Sequence, residues 1–179
     1  MKKVPLNRKE LEAVTDQFPT PFHLYDERAI RENVRAFFKA FSWAPGFKNY
    51  FAVKACPNPT ILKILREEGC GADCSSLPEL VMAEKCGLAG EDIVFTSNDT
   101  PPEEFVKAAE LGAVINLDDL THLATLEKSV EIPQFISFRY NPGNSRKGNS
   151  IIGEPTEAKY GVPRDQIIEA YSRAKEKGA

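Results

Sequence analysis

The sequence predicts an α/β protein in which strands and helices alternate as part of a (β/α)8 barrel. Three observations predict it. Short apolar runs alternate with amphipathic helical stretches, most of them bounded by Pro or Gly. The strand centres, near Ala52, Ala72, Val94, Ile115 and Ser137, recur at spacings of 20, 22, 21 and 22 residues. Each strand also ends on a polar residue. Alternation of this kind implies parallel pairing through right-handed crossovers. A leucine-rich solenoid has a similar period, but its L-x-x-L-x-L signature is absent. A doubly wound open sheet of five strands is the structural alternative.

The elements follow in order. Phe22 to Tyr25 reads as a first strand, introduced by Pro19 and Pro21. Asp26 reads as the N-cap of a helix carrying Ile30, Val34, Phe37, Phe38 and Phe41 on one face, closed by Pro45 and Gly46. Tyr50 to Val53 is the first barrel strand. Asn58 caps the next helix, with Pro59 in its first turn and Gly69 at its end. Gly71 to Cys74 is the second strand. Ser76 to Glu79 forms a capping box for a helix that stops at Gly87. Ile93 to Phe95 is the third strand, and Thr100 to Glu103 a further capping box for a helix ending at Gly112. Ala113 to Ile115 is the fourth strand. Asp118 or Asp119 starts the helix through Leu120, Leu123 and Leu126. Phe135 to Phe138 is the fifth strand. A polar loop of about twenty residues follows; loops that long are usually functional or disordered. Pro163 opens a last helix to Lys177.

A complete barrel needs eight strands and roughly 250 residues. Here the chain has 179 residues and five barrel strands, so a half-built barrel would expose an apolar sheet edge. The chain is expected to be a fragment, or to be completed by another chain.

Composition narrows the function classes. With 42% hydrophobic and 27% charged residues, the chain reads as a globular domain. A formal net charge of −3 argues against nucleic-acid binding, which usually needs a basic stripe. No apolar run approaches a membrane span, and the N-terminus lacks the apolar stretch of a secretory signal. Cys56, Cys70, Cys74 and Cys86 form no C-x-x-C pair, and His23 and His122 are far apart. No metal site is expected; reduced thiols in a cytoplasmic protein are the better reading.

In parallel α/β folds, chemistry gathers at the C-terminal ends of the strands. Those ends supply Lys54, then Asp73 and Ser75, then Ser97 and Asn98, then Asn116, then Arg139 and Asn141. Lys54 has two readings: a lysine snorkelling from a strand end, or a partly desolvated amine suited to Schiff-base chemistry. Asp73 is either a turn residue or a charge partner beside a cofactor. Arg139 either pairs with a carboxylate at the rim or orients an anionic group. Glu79 is explained by its capping box, and His23 and His122 are read as structural.

Several motifs together resemble the fold-type III pyridoxal-phosphate-dependent decarboxylases, which include diaminopimelate, ornithine and carboxynorspermidine decarboxylases. They are P-F-H-L-Y-D (Pro21 to Asp26), F-A-V-K-A-C (Phe51 to Cys56) and G-A-D-C-S-S-L-P-E-L (Gly71 to Leu80), then F-R-Y-N-P (Phe138 to Pro142) and A-K-Y-G-V (Ala158 to Val162). The series covers nearly the whole chain in order. By motif, Lys54 matches the lysine that carries pyridoxal 5'-phosphate, and Asp73 the acid of the G-x-D-x-x-S block near that lysine. Glu79 matches the acid closing the block, and Arg139 the arginine near the cofactor ring. Cys56 stands where the family usually has asparagine.

The resemblance implies residues 27–179 as the N-terminal part of the cofactor-binding barrel. Residues 1–26 would be a segment whose strand pairs with a C-terminal β-domain absent here. It also implies a cytoplasmic homodimer acting on a small amino acid, with diaminopimelate, and hence lysine biosynthesis, as the leading substrate. In such an enzyme the cofactor stabilises the carbanion left by loss of carbon dioxide. The usual phosphate site lies after later strands, so the isolated chain is expected to retain cofactor poorly and to be inactive. Two other readings compete. An alanine-racemase-like barrel would carry Tyr-Gly-His after the lysine, where this chain has Ala-Cys-Pro-Asn-Pro. A non-catalytic decarboxylase-like binding protein is the third, and intact Lys54 and Asp73 count against it.

Overall fold

A computed structural model describes residues 4–143 and 160–179. Its elements are α1 (Arg8–Gln17), α2 (Glu27–Ala40), β1 (Tyr50–Ala52), α3 (Pro59–Glu67), β2 (Gly71–Cys74), α4 (Leu77–Lys85), β3 (Ile93–Phe95), α5 (Pro102–Glu110), β4 (Val114–Leu117), α6 (Leu120–Ser129), β5 (Ile136–Phe138) and α7 (Ile167–Glu176). The five strands form one parallel sheet in the order β1-β2-β3-β4-β5. A doubly wound sheet would reverse direction at a switch point. This one never does, so the barrel-type winding stands and the open-sheet alternative falls. The register explains the sequence period: Ala72 pairs with Ile93, and Ile115 with Ile136.

Alternation along the strands separates two faces. Ala72, Cys74, Ile93, Phe95, Ile115, Leu117, Ile136 and Phe138 are buried, and they pack with Leu80, Phe105, Leu123 and Leu126 of the helices. Asp73, Val94, Asn116 and Ser137 lie on the other face and are only half-buried. A second cluster joins α2 to α3 through Val34, Ile61, Ile64 and Leu65. Glu68 ties the same seam, accepting from Arg35 at 2.6 Å and from Arg31 at 3.0 Å. The Arg35 and Arg31 guanidinium groups hold its carboxyl down at about 2.

Gly71 shows why a residue type is fixed. A Cβ there would come within 2.5 Å of the Tyr50 ring and 2.6 Å of the Asp92 carbonyl oxygen. Only glycine lets β2 start this close to β1 and to the turn before β3.

Several expected features differ. Phe22 to Tyr25 is not a strand, because no segment among the described residues offers it a hydrogen-bonding ladder. Ahead of it stands α1, which the sequence reading did not predict; Asn7 and Glu10 form a reciprocal capping box at its start. Asp26, Asn58 and Asp119 cap as expected. The two other capping boxes do not form as read. The Ser76 hydroxyl donates to Glu79, whose carboxylate accepts the Ser75 N–H at 2.9 Å. The Leu77 N–H donates instead to Glu104 of α5, at 2.8 Å. Thr100 makes no cap; its buried hydroxyl has no partner among the described residues, and Pro101 precedes the helix. The last helix starts at Ile167, after a turn closed by Gln166 N–H to the Pro163 carbonyl. Most of the polar loop after β5 lies outside the described residues.

Candidate active site

At the end of β1 the chain tightens into a single 3-10 turn, Val53–Ala55. Val53 is fully buried beneath it and Lys54 is exposed above. The apolar residue anchors the turn while the amine is held outward. On β2, Asp73 sits beside Ala52 in the register, and Ser75 follows just past the strand. Arg139 follows β5, its N–H donating to the Leu117 carbonyl at 2.8 Å, so it continues the sheet.

These residues converge. A pocket of about 350 Å³ is lined by Lys54, Asp73, Ser75, Thr96, Asn98, Asn116 and Arg139. That volume lies at the small end of the range for ligand sites. All three sequence candidates, Lys54, Asp73 and Arg139, therefore meet in one place, with Ser75, Asn98 and Asn116 as expected. Ser97 does not join them; it is buried. Asn141 does not line the pocket, and its side chain accepts from the Gly143 N–H at 2.9 Å.

Electrostatics distinguish the members. Burial pushes the Asp73 carboxyl above its ordinary value, with Lys54 pulling the other way, Glu79 adding to the rise and Arg139 opposing it. The Cys74 thiol, on the helix-packed face, is pushed up to about 12 by burial and is not a nucleophile. His122 packs edge-on against Phe105 at 6.2 Å, consistent with its structural reading. No cluster of potential metal ligands occurs among the described residues. None of the described helices is long and apolar enough to cross a membrane.

Two site residues escaped the sequence reading. Thr96 was passed over in favour of Ser97, although strict alternation from Val94 points to Thr96. It belongs to a hydrogen-bonded ladder across three strands. The Asn116 amide donates to Thr96 Oγ1 at 3.1 Å, and the Ser137 hydroxyl donates to Asn116 Oδ1 at 2.7 Å. The other is Asp118, considered only as a helix start; its carboxylate accepts from Arg139 Nη1 at 3.0 Å.

Known proteins resemble this chain over nearly its whole length. Residues 27–178 match the family described as pyridoxal-dependent decarboxylase, pyridoxal binding domain. Protein TabA of Pseudomonas amygdali pv. tabaci is 41% identical over 94% of this chain and 39% of its own length. The diaminopimelate decarboxylase of Methanothermobacter thermautotrophicus is 33% identical, over 92% and 39% respectively. The chain thus spans about two fifths of the length of these relatives. The crystal structure of diaminopimelate decarboxylase from Helicobacter pylori complexed with L-lysine superposes with a TM-score of 0.80 at 31% identity, covering 93% of this chain and 43% of that one. The sheet is accordingly the first part of a (β/α)8 barrel, and the chain belongs to the pyridoxal-dependent decarboxylases, within their pyridoxal-binding domain.

Proposed function

We propose that this protein acts as a pyridoxal-phosphate-dependent amino-acid decarboxylase, with diaminopimelate as substrate and Lys54 as the residue that holds the cofactor. One observation carries the reading: an outward-held amine shares a pocket with a carboxylate and a guanidinium, all supplied by strand ends. Similarity to diaminopimelate decarboxylases supports the choice of substrate. The reading includes the cytoplasmic homodimer that the resemblance implies.

The donor set fits the cofactor. A pyridoxal group needs an amine to bond its aldehyde carbon, and a cation or hydrogen-bond donors for its anionic oxygens. Lys54 supplies the first. Arg139, Thr96, Asn98 and Ser75 supply the second. When bound, the cofactor supplies the electron sink that loss of a carboxylate requires. The protein's part is placement. Lys54 anchors, Arg139 orients an anionic oxygen, and Asp73 sets the charge beside the amine. Glu79 holds the Ser75 backbone and hydroxyl at the pocket wall, at 2.9 Å and 3.1 Å.

Borohydride trapping of the full-length protein with pyridoxal phosphate, followed by peptide mass mapping, tests this. The expected result is a reduced adduct on Lys54 that is lost in Lys54→Ala. Labelling scattered over surface lysines would overturn the assignment of Lys54. Carbon dioxide release from diaminopimelate by the full-length protein tests the substrate; turnover of ornithine or carboxynorspermidine instead would reassign it. The 179-residue chain is expected to release none, and robust release by it would refute the expectation that further segments are needed.

A further inference from the structure

Arg139 is fastened from two sides. Below it lies Asp118, at the end of β4, whose side chain is only 3% exposed while that of Arg139 is 44% exposed. The pair is single-pronged: Asp118 Oδ1 engages Nη1 at 3.0 Å. Since a guanidinium carries five N–H donors in a rigid fork, most of it is left for another oxygen. Beside it lies Tyr160, whose ring centre is 5.1 Å from the guanidinium carbon, within cation–π range. Tyr160 is seated by the residues that follow it. The Val162 N–H donates to the Arg139 carbonyl at 2.7 Å, and the Asn141 N–H to the Val162 carbonyl at 2.9 Å. Gly161 between them has φ +87°, and a Cβ there would sit 3.0 Å from the Arg139 oxygen.

We propose that Asp118 is a positioning residue: its buried carboxylate fixes the Arg139 guanidinium so that the free part of the fork meets an anionic oxygen of pyridoxal phosphate in the Lys54 pocket. This rests on the reading of that pocket as the cofactor site. The physical case is one of preorganisation. An arginine free to sample its rotamers must be ordered when it binds, and that cost weakens the ligand; one already held does not incur it. A buried carboxylate is tolerated when it is paired and costly when it is not, so the two residues constrain one another. Asp118 therefore acts on the ligand only through Arg139.

That dependence makes the test. The full-length protein is titrated with pyridoxal phosphate, and in parallel with pyridoxal, then reduced, and the Lys54 adduct is quantified by mass. Four forms are compared: unsubstituted, Asp118→Asn, Arg139→Ala and the double variant. Each single substitution is expected to raise the half-labelling concentration about tenfold, the scale on which loss of an orienting partner weakens a metal site. The double variant should be no worse than Arg139→Ala alone, because the residues act as a unit. Weakening of both ligands would assign the oxygen to the ring; weakening of the phosphate form alone would assign it to the phosphate. Either supports the positioning role. Additive losses, or unchanged labelling in Asp118→Asn, would overturn it while leaving Lys54 as the cofactor residue. No Lys54 adduct in the unsubstituted full-length protein would overturn the cofactor reading and this proposal together. Should Asp118→Asn not fold, Asp118→Glu and the Arg139 side-chain N–H resonance by NMR carry the comparison: a fixed, distinct resonance in the unsubstituted chain supports the proposal, and one averaged like a surface arginine overturns it.

Discussion

Asp73 holds its proton more tightly than an exposed aspartate because burial disfavours its charge more than Lys54 and Arg139 favour it. The sign of the consequence follows from linkage. With the folded value above the unfolded one, the native state binds more protons in the window between them. Its contribution to stability is full below the ordinary carboxylate value and is lost as pH rises through the raised one. Asp73→Asn is therefore expected to melt higher than the parent at pH 7, with the gap closing in acid; thermal melts across that range check it. A charge kept at a stability cost suits a residue retained for the pocket. Lys54, Asp73 and Arg139 were legible in the sequence because strand ends in parallel folds point to one rim. Asp118 was not, since an aspartate before a helix reads first as a cap. Its neighbour Asp119 does cap, accepting the Thr121 N–H at 2.8 Å.

At the scale of elements, the seam between α2 and α3 combines an apolar cluster with the Glu68 ion pairs. Because its folded value is depressed, Glu68 contributes stability above the ordinary carboxylate range and loses it as pH falls toward about 2. Glu68→Gln should speed amide exchange in α2 severalfold at neutral pH and leave α5 and α6 unaffected. Equal loosening of all helices would show that the seam is not a separate unit. Gly71→Ala should destabilise the sheet by about 1–3 kcal/mol, the usual range for overpacking, since the clash includes the Asp92 backbone oxygen; denaturant melts measure it. Strand and helix existence was legible from period and punctuation. What was not legible depended on partners distant in sequence. Phe22 to Tyr25 has the composition of a strand but no neighbour to pair with among the described residues. Ser76 resembles a cap, but Glu104 takes the Leu77 N–H. The capping box of α1 was visible as Asn7 and Glu10, but no apolar stripe drew attention to it, and the helix buries none of its residues.

For the whole molecule, β1 and β5 are sheet edges among the described residues, and Phe135, Tyr140, Ile168 and Tyr171 are exposed on the elements at the β5 end. Unpaired edges with apolar surroundings associate. The 179-residue chain is expected to self-associate as concentration rises, measured by sedimentation; a strict monomer would show that this face is satisfied without a partner. The order of the sheet was readable from the repeat because each strand pairs with its successor. The hydrogen bonds between loops and helices obey the same rule. Glu104 of α5 receives the first N–H of α4, Gly90 N–H donates to the Leu111 carbonyl at 2.7 Å, and Lys107 of α5 pairs with Glu84 of α4 at 3.0 Å. Each of these ties joins a unit to the one made just before it, while Asp92 and the Glu91 carbonyl reach back two units, to Lys48 and the Tyr50 hydroxyl. A ribosome releases the N-terminal end first, so each newly synthesised unit emerges beside a finished template, and translation and assembly can advance in step without a distant segment having to be awaited.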